Sequence, residues 1–345
     1  ALVYGTLDKL IQIDYIIKQY AKGRLQPPIH DLLRLAVYQL LYMDKVPAYS
    51  VFSETQKTAQ QIGKGMLKGY INGVLREIHR NINNIQYPDK VKDPVSYFSV
   101  YYSIPEFLVK DLVQDYGLDI AEGILSHTPL AATSVRINKN KISAEEFAKK
   151  LQNLNIKFSR GALDKDVFLV TGNKIFNDNL FKSGFCSVQS QSSMLVCKIA
   201  NPTPGQRILD CCSAPGGKAV YMAELMGSGS ILALDIHPHR VELIKANAQR
   251  CGFSIIIEAK QQDAAEFNES FGLFDTVVVD APCSGLGVMA SKPDIKLTLT
   301  KEGLEELEQI QRNILYTAAK YVKKGGYLIY STCTIRNAEN AKQVN

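Results

Sequence analysis

The stretch FDTVVVDAPCSG, residues 274–285, is the sequence feature that most limits how this chain can fold. Its three consecutive valines are typical of a strand buried on both faces of a parallel sheet. The strand would end at Asp280, and a turn that contains Cys283 would follow. Ligands of open α/β sheets bind beyond the carboxyl ends of the strands. The pattern therefore places an acid and a thiol where a ligand is expected.

The region from Pro204 onward repeats an apolar strand, a glycine-containing turn and a helix. Strands are predicted over residues 207–211, 230–236, 254–258, 275–280 and 327–331. Helices are predicted to begin near Lys218, Pro238 and Glu302. Strands that alternate with helices indicate a doubly wound parallel sheet.

The first 90 residues have a helical pattern. Residues 30–43 carry apolar side chains at mixed spacings of three and four, at Leu32, Leu35, Ala36, Leu40 and Met43. This spacing is typical of a helix packed in a bundle. Further helices are predicted over 53–61, with Ser53 as the N-cap, and over 69–80.

A polar connection with prolines over residues 81–94 indicates a domain boundary. Beyond it, helices are predicted over 105–116 and over 143–154, the second opened by the capping box SAEE. Strands are predicted over 133–137 and 167–170. Residues 95–184 would thus form a small α+β unit.

Composition limits the class and location of the protein. No apolar run approaches the roughly 20 residues that cross a bilayer, and no signal-peptide pattern is present, so we expect a cytoplasmic protein without a membrane partner. The seven cysteines contain no CxxC pair, which argues against a disulfide framework or a zinc site. Residues 1–95 hold 13 Lys and Arg against 8 Asp and Glu, whereas residues 201–345 hold 15 against 16. A basic front favours contact with phosphates, although an ordinary solvated surface explains the same count.

Acidic residues follow successive strands of the predicted sheet. The first turn, DCCSAPGGKA at 210–219, matches neither GxGxxG nor the P-loop spacing, so a cofactor without a pyrophosphate is expected. Asp235 ends the second strand, where a carboxylate can accept both hydroxyls of a ribose, and Asp263 is suited to an adenine amino group. Each acid alone is more often a helix cap or a loop acid. The ordered series indicates adenosine attached to an amino acid, which is S-adenosylmethionine.

Two cysteines lie just beyond predicted strands, Cys283 in DAPCSG and Cys333 in YSTCT, and adjacent strands of the sheet could bring them together. Carbon 5 of a pyrimidine accepts a methyl group only after a nucleophile has added to carbon 6, and a thiolate suits that addition at neutral pH. Asp280 is placed to hydrogen-bond the N3 side of the ring if it is protonated or shares a proton with the base. Either cysteine alone is more often an inert thiol, and DAPCSG by itself would assign the attack to Cys283.

These motifs resemble those of a known family. DCCSAPGGK, LDIHPHR, DAPCSGLG, KPDIK, YSTCT and the Glu339-Asn340 pair resemble motifs of the RNA 5-methylcytosine methyltransferases of the NOL1/NOP2/Sun group. LVYGTL, LRLAVYQLLYMDKVPAYSVFSE and GYINGVLR resemble the helical RNA-binding domain shared with the antitermination factor NusB. Together they resemble the bacterial branch that methylates a cytosine of 16S rRNA.

The resemblance implies a role for each motif residue. Cys333 would be the nucleophile, Cys283 would assist release of the product, and Asp280 would line the cofactor site as well as contact the base. S-adenosylmethionine would also lie against Asp235, Asp263 and the first turn, at Cys212, Ser213, Ala214, Pro215, Gly216, Gly217 and Lys218. Ser190 and Gln191 stand where the family favours two acids, so no function is carried onto them.

The sequence therefore predicts a NusB-like all-α domain at 1–90, a small α+β RNA-binding region at 95–184 and a Rossmann-like class I methyltransferase domain at 185–345. The family's first NusB helix and last sheet strands are expected to be missing from the chain. The predicted enzyme is a monomer without a metal, and it methylates carbon 5 of an unpaired or flipped cytosine in unassembled or partly assembled 16S rRNA. Two alternatives stay open: the same chemistry on tRNA or DNA, and a NusB-like RNA scaffold with an inactive back half.

Overall fold

The computed structural model describes residues 2–127, 132–164 and 166–345. It divides into two compact units, Ala1–Pro129 with Gly285–Lys301, and Leu130–Ser284 with Glu302–Asn345. Residues 94–125 therefore group with the N-terminal helices, and the predicted α+β region is divided between the two units. The three predicted domain boundaries stay a prediction. Within the described ranges, no helix is long and apolar enough to span a membrane.

Helices make up the first unit, whereas the second unit combines helices with strands. The α-helices are α1 Leu2–Asp8, α2 Leu10–Tyr20, α3 Pro27–Tyr42, α4 Ala48–Gln61, α5 Lys68–Arg80, α6 Pro94–Tyr102, α7 Glu106–Tyr116, α8 Leu118–Leu125, α9 Ala144–Asn153, α10 Lys174–Asn177, α11 Asn179–Lys182, α12 Gln191–Ala200, α13 Gly217–Met226, α14 Pro238–Cys251, α15 Ile295–Thr298, α16 Lys301–Ala319 and α17 Ala341–Val344. The strands are β1 Thr133–Ile137, β2 Phe158–Arg160, β3 Val167–Val170, β4 Cys186–Val188, β5 Arg207–Asp210, β6 Ser230–Asp235, β7 Ile257–Gln261, β8 Phe274–Asp280 and β9 Val322–Ser331.

The core of the first unit forms around helix α3. Its buried residues are Ile29, Leu32, Leu33, Ala36 and Val37, which pack with residues of α2, α4 and α5. These positions repeat as i, i+3, i+4, i+7 and i+8 from the start of the helix, so they lie on one face. Leu40 of the predicted stripe is half-buried and packs against the same core. The stripe was wrong at Leu35, which is half-buried beside that face, and at Met43, which lies beyond the end of the helix.

Two further features of the first unit differ from the prediction or extend it. Helix α4 begins at Ala48, directly after Pro47, so the predicted N-cap Ser53 lies inside the helix. The segment Gly285–Lys301 packs with this unit, where Lys296 Nζ donates to the Asp8 carboxylate at 2.9 Å. Burial lowers the pKa of Lys296.

The second unit begins with a four-stranded antiparallel sheet of order β2-β3-β1-β4. Strands β1 and β3 have the predicted bounds. Ser143 caps α9 as the capping box predicts, because its side chain accepts a hydrogen bond from the Glu146 amide. The core of this sheet includes Phe147 and Phe168, whose ring centroids lie 4.8 Å apart.

The rest of the second unit is a parallel five-stranded sheet of order β7-β6-β5-β8-β9. Alternate side chains of β8 face opposite layers: Val278 packs with α12, α13 and α14, whereas Val277 and Val279 pack with α16. The strand order reverses between β5 and β8, and ligands bind at such a switch point. The predicted mixed architecture of an all-α front and a Rossmann-like sheet is confirmed.

The third strand of this sheet was predicted three residues too early. Helix α14 ends at Cys251, and the left-handed conformation of the next residue, Gly252 (φ 91°), begins a turn through Ile256. Ile255 is fully exposed, so only Ile257 from the apolar run SIII enters the sheet in β7. The apolar run therefore led to a predicted start of β7 that lies three residues before the observed one.

Candidate active site

The turn between β5 and α13 forms one wall of a cavity of about 180 Å³. Gly216 has φ 93°, and a Cβ at this position would lie 3.3 Å from the Cα of Ile244, so the turn requires glycine. The cavity is lined by six of the seven first-turn residues predicted to bind cofactor, Cys212, Ser213, Ala214, Pro215, Gly217 and Lys218. Asp280 of β8 also lines it, as do Gln189 and Ser190.

Asp210 also lines the cavity, although it was not among the predicted site residues. Both of its carboxylate oxygens are buried without a well-formed hydrogen bond among the described residues, and the same holds for Gln189 Nε2. Burial raises the pKa of Asp210 to about 6, whereas the Ser213 hydroxyl, the positive charge of Lys218 and the Cys212 amide oppose that shift. Buried polar atoms without a well-formed hydrogen bond are uncommon in folded proteins, so Asp210 is a candidate ligand-binding residue. As the acid that ends β5, Asp210 could have been added to the series of strand-end acids.

Asp235 and Asp263 lie at the same end of the sheet, although neither is among the lining residues of the cavity just described. One oxygen of Asp235 accepts the His237 amide at 3.0 Å, and one oxygen of Asp263 accepts the Ala265 amide at 2.8 Å. Burial raises the pKa of Cys212 above its ordinary value, and the charges of Asp210, Asp280, Asp235 and Asp263 raise it further. The charges of all four acids therefore act at Cys212, the start of the first turn.

Asp280 is held by contacts to both of its carboxylate oxygens. Lys218 Nζ donates to Oδ2 at 2.5 Å, and Ser331 Oγ donates to Oδ1 at 2.9 Å. The first of these is a charge-assisted hydrogen bond, which is among the stronger polar contacts in proteins. Residues from the first turn, from β8 and from β9 thus fix one acid at the edge of the cavity.

The structure brings Cys283 and Cys333 together. Residues Asp280 and Ser331 are paired across β8 and β9, and the two thiols follow them on adjacent loops. The Sγ atoms lie 2.9 Å apart, and the Cys333 amide donates to Cys283 Sγ at 3.2 Å. Cys333 is exposed and Cys283 is half-buried.

Cys333 differs chemically from the buried cysteines Cys186 and Cys197. The hydrogen bond from Cys283 lowers the pKa of Cys333 from 9.0 to about 7, although burial and the charge of Asp280 oppose the shift. Burial raises the pKa of Cys186 and of Cys197 to about 12. The thiolate is the reactive form of a cysteine, so Cys333 is expected to be more reactive at neutral pH than Cys186 or Cys197. Within the described ranges, no cluster of three or more His, Cys, Asp or Glu side chains could hold a metal ion.

Comparisons with known proteins identify the relatives of this chain. The chain matches the NusB family over residues 1–80 and the family described as 16S rRNA methyltransferase RsmB/F over residues 197–345. It is 38% identical over 350 residues to a protein of Bacillus subtilis (strain 168) named probable ribosomal RNA small subunit methyltransferase B, and the match covers 100% of this chain and 78% of that protein. The ribosomal RNA small subunit methyltransferase B of Shewanella oneidensis is 32% identical over 351 residues, covering 100% of this chain and 79% of that one.

Solved structures show the same architecture. The structure titled "Crystal Structure of PH0851" superposes with a TM-score of 0.81 at 26% identity, covering 99% of this chain and 78% of that one. NSun6 from Pyrococcus horikoshii with SFG has a TM-score of 0.64 at 20% identity, covers 70% of this chain and 86% of that one, and shows similarity of fold alone. The identity to the curated relatives extends over both the helical front and the parallel sheet, so the chain belongs to the RsmB/F family of 16S rRNA methyltransferases.

Proposed function

We propose that this enzyme transfers a methyl group from S-adenosylmethionine to carbon 5 of a cytosine in 16S rRNA, through a covalent adduct between Cys333 and carbon 6. The observation that carries the proposal is the pair of thiols, with Cys283 and Cys333 Sγ atoms 2.9 Å apart next to Asp280. Methyl transfer to an oxygen or an exocyclic nitrogen needs no nucleophilic thiol, whereas transfer to carbon 5 of a pyrimidine does.

Cys333 and Cys283 are proposed to act at different steps of the reaction. The Cys333 thiolate forms a bond to carbon 6, and the electron pair of the 5,6 double bond becomes available at carbon 5. Bound S-adenosylmethionine would supply the methyl group there. Cys283 assists removal of the carbon 5 proton; the remaining electron pair restores the double bond, and Cys333 leaves as a thiolate. The low pKa of Cys333, about 7, favours both its attack and its departure.

The cofactor assignment is supported by the buried carboxylate of Asp210 at the cavity. Its oxygens make no well-formed hydrogen bond among the described residues, so they suit a cationic donor such as the ammonium group of an amino acid, which would offset the cost of burying the acid. The first turn from Cys212 to Lys218 forms the adjoining wall. Asp235 and Asp263 are proposed to hold the ribose and the adenine, because they end or follow the next two strands of the sheet.

Asp280 is proposed to hold the N3 side of the target cytosine by sharing a proton with the base, because an ionised carboxylate and N3 of a neutral cytosine both only accept hydrogen bonds. Its two oxygens are fixed by Lys218 and Ser331, so the base would meet a preorganised acid. The base must be unpaired or flipped to reach it, which favours unassembled or partly assembled 16S rRNA in the cytoplasm as the substrate. The NusB-like helices and the small α+β region would recruit that RNA, with the protein acting as a monomer.

The proposal is tested by methyl transfer in vitro. The enzyme is incubated with methyl-labelled S-adenosylmethionine and unmodified 16S rRNA or tRNA, and the RNA is digested to nucleosides. Label in 5-methylcytidine from 16S rRNA is expected. Label in any other nucleoside would contradict the carbon 5 chemistry, and label in tRNA alone would favour the alternative substrate. The Cys333→Ala variant should bind the cofactor normally but transfer no methyl group to RNA. If the wild type also leaves both RNAs without label, the result favours the RNA scaffold with an inactive back half.

A further inference from the structure

Glu339 is a fully buried acid that contacts the loop of Cys283. The amide of Ser284, the residue after Cys283, donates to Glu339 Oε2 at 2.8 Å, and the Ser284 hydroxyl donates to Oε1 at 2.6 Å. Gln311 Nε2 donates to Glu339 Oε2 at 3.0 Å and to the carbonyl of Pro282 at 2.9 Å. The residues on both sides of Cys283 are therefore held by Glu339 and its partner Gln311.

Asn340 makes the corresponding contacts on the loop of Cys333. The Thr332 hydroxyl donates to Asn340 Oδ1 at 2.6 Å, and Asn340 Nδ2 donates to the carbonyl of Thr334 at 3.0 Å. The residues on both sides of Cys333 are thus held by one amide side chain. The hydroxyls of Ser284 and Thr334 lie 2.7 Å apart, so the two loops also contact each other directly.

A carboxylate is the side chain that this position requires. Glu339 Oε1 also accepts from Arg336 at 3.2 Å, and Arg336 forms a second ion pair with Glu308 of α16 at 3.1 Å. The donors to the Glu339 carboxylate come from Ser284, Gln311 and Arg336. A glutamine at this position would present its own NH₂ group to some of these donors. A buried donor that loses its acceptor costs free energy, so the Cys283 loop would shift to recover a partner.

We infer that Glu339 is the positioning residue for Cys283 and Asn340 the positioning residue for Cys333, so that two adjacent residues set the distance between the reacting thiols. The consequence for the reaction rests on the proposed function, in which Cys283 assists product release. Glu339 then acts late, by keeping Cys283 where it can complete the reaction. Asn340 acts early, by presenting Cys333 to carbon 6.

The first test needs no RNA. The rate at which Cys333 attacks an aromatic disulfide is measured against pH in the full-length Glu339→Gln variant. Because Cys283 lowers the pKa of Cys333 from 9.0 to about 7, a displaced Cys283 should move the midpoint upward. The matched control is Glu308→Gln, because Glu308 also forms an ion pair with Arg336. In the part of the chain that the structure describes, Glu308 makes no hydrogen bond to either cysteine loop. Its midpoint should equal that of the wild type, and an unchanged midpoint in Glu339→Gln would overturn the inference.

The second test follows turnover with 16S rRNA and S-adenosylmethionine. Glu339→Gln should lower kcat by about 10- to 100-fold with KM little changed, since a displacement of about 1 Å costs about that much. A covalent protein–RNA adduct should accumulate on a denaturing gel, as it should in Cys283→Ala. Asn340→Ala should slow adduct formation without accumulation. The inference would be overturned if Cys283→Ala accumulates adduct while Glu339→Gln loses kcat without accumulating any. Glu339 would then have a merely structural role.

Failure of the proposed function gives a different pattern. If the midpoint of Cys333 moves in Glu339→Gln but neither variant accumulates adduct, the positioning role stands and the division of labour between the thiols falls. Thermal unfolding shows whether Glu339→Gln is folded. If it is not, Ser284→Ala replaces it, because this variant removes only the hydroxyl donor and keeps the amide contact. The midpoint should then move in the same direction by a smaller amount, and no movement would again overturn the inference.

Discussion

Replacing Cys283 by alanine should change how the reactivity of Cys333 depends on pH. The hydrogen bond between the thiols is the largest cause of the low pKa of Cys333, while burial and Asp280 act in the opposite direction. Removing the Cys283 thiol should therefore return the pKa from about 7 to 9.0 or above. A lowered pKa favours the thiolate, which is the reactive form of Cys333. The thiolate is lost as the pH falls through the pKa of Cys333, so this loss should begin at a higher pH in the variant than in the wild type.

The magnitude follows from two opposing effects. Near pH 7.5, a pKa of about 7 leaves roughly three quarters of the thiol ionised, against about 3% at a pKa of about 9. The more basic thiolate is intrinsically about eightfold more nucleophilic, given a Brønsted coefficient of about 0.4–0.5. The variant should thus react about threefold more slowly near pH 7.5, about tenfold more slowly near pH 6, and severalfold faster near pH 10.

The assay is thiol exchange with a coloured aromatic disulfide, followed by absorbance over that pH range. The rate of Cys333→Ala is subtracted to remove any contribution from other thiols. Cys283→Ser is the matched control, because its hydroxyl keeps a hydrogen-bond donor, and its midpoint should lie between those of the wild type and Cys283→Ala. Equal midpoints in all three proteins, or the absence of a crossing at alkaline pH, would refute the assigned cause.

Two further predictions concern the cofactor cavity and the stability of the second unit. Asp210→Asn should weaken S-adenosylmethionine binding by about 10- to 100-fold in calorimetry, the effect of a hydrogen bond to a charged group. Wild-type affinity should also fall as the pH drops below about 6, where Asp210 takes up a proton; an unchanged affinity in the variant would contradict this role. Arg136→Met leaves Glu224 buried without its ion-pair partner and should lower the free energy of unfolding by about 3–5 kcal/mol in denaturant titration. The double variant Arg136→Met/Glu224→Leu should recover part of that loss, and a further decrease would show that the buried charge was not the cause.

The sequence predicted the parts of the fold that follow from local pattern. Strands β1 and β3 were predicted with their observed bounds, and β8 differs by one residue, because short apolar runs bounded by polar turns define them. The placement of Cys283 near Cys333 followed from adjacent parallel strands, whose carboxyl ends meet at one edge. Their separate roles stay predictions.

The sequence could not predict features that depend on packing between distant segments. Asp210 ends a predicted strand as Asp235 and Asp280 do, but its complete burial at the cavity depends on the packing of the sheet. Glu339 was noted as part of a motif, but its contact with Ser284 joins residues 55 positions apart. The grouping of Gly285–Lys301 with the first unit depends in the same way on contacts such as that of Lys296 with Asp8.

The central claim is that Cys333 attacks the cytosine, and the most direct measurement is the mass of the peptide that carries trapped RNA. Cys283→Ala is incubated with 16S rRNA and S-adenosylmethionine, the adduct is isolated and digested, and the cross-linked peptide is sequenced. We expect a methylated cytosine nucleotide attached to Cys333, and no adduct in the Cys283→Ala/Cys333→Ala double variant. A nucleotide attached to any other residue would contradict it.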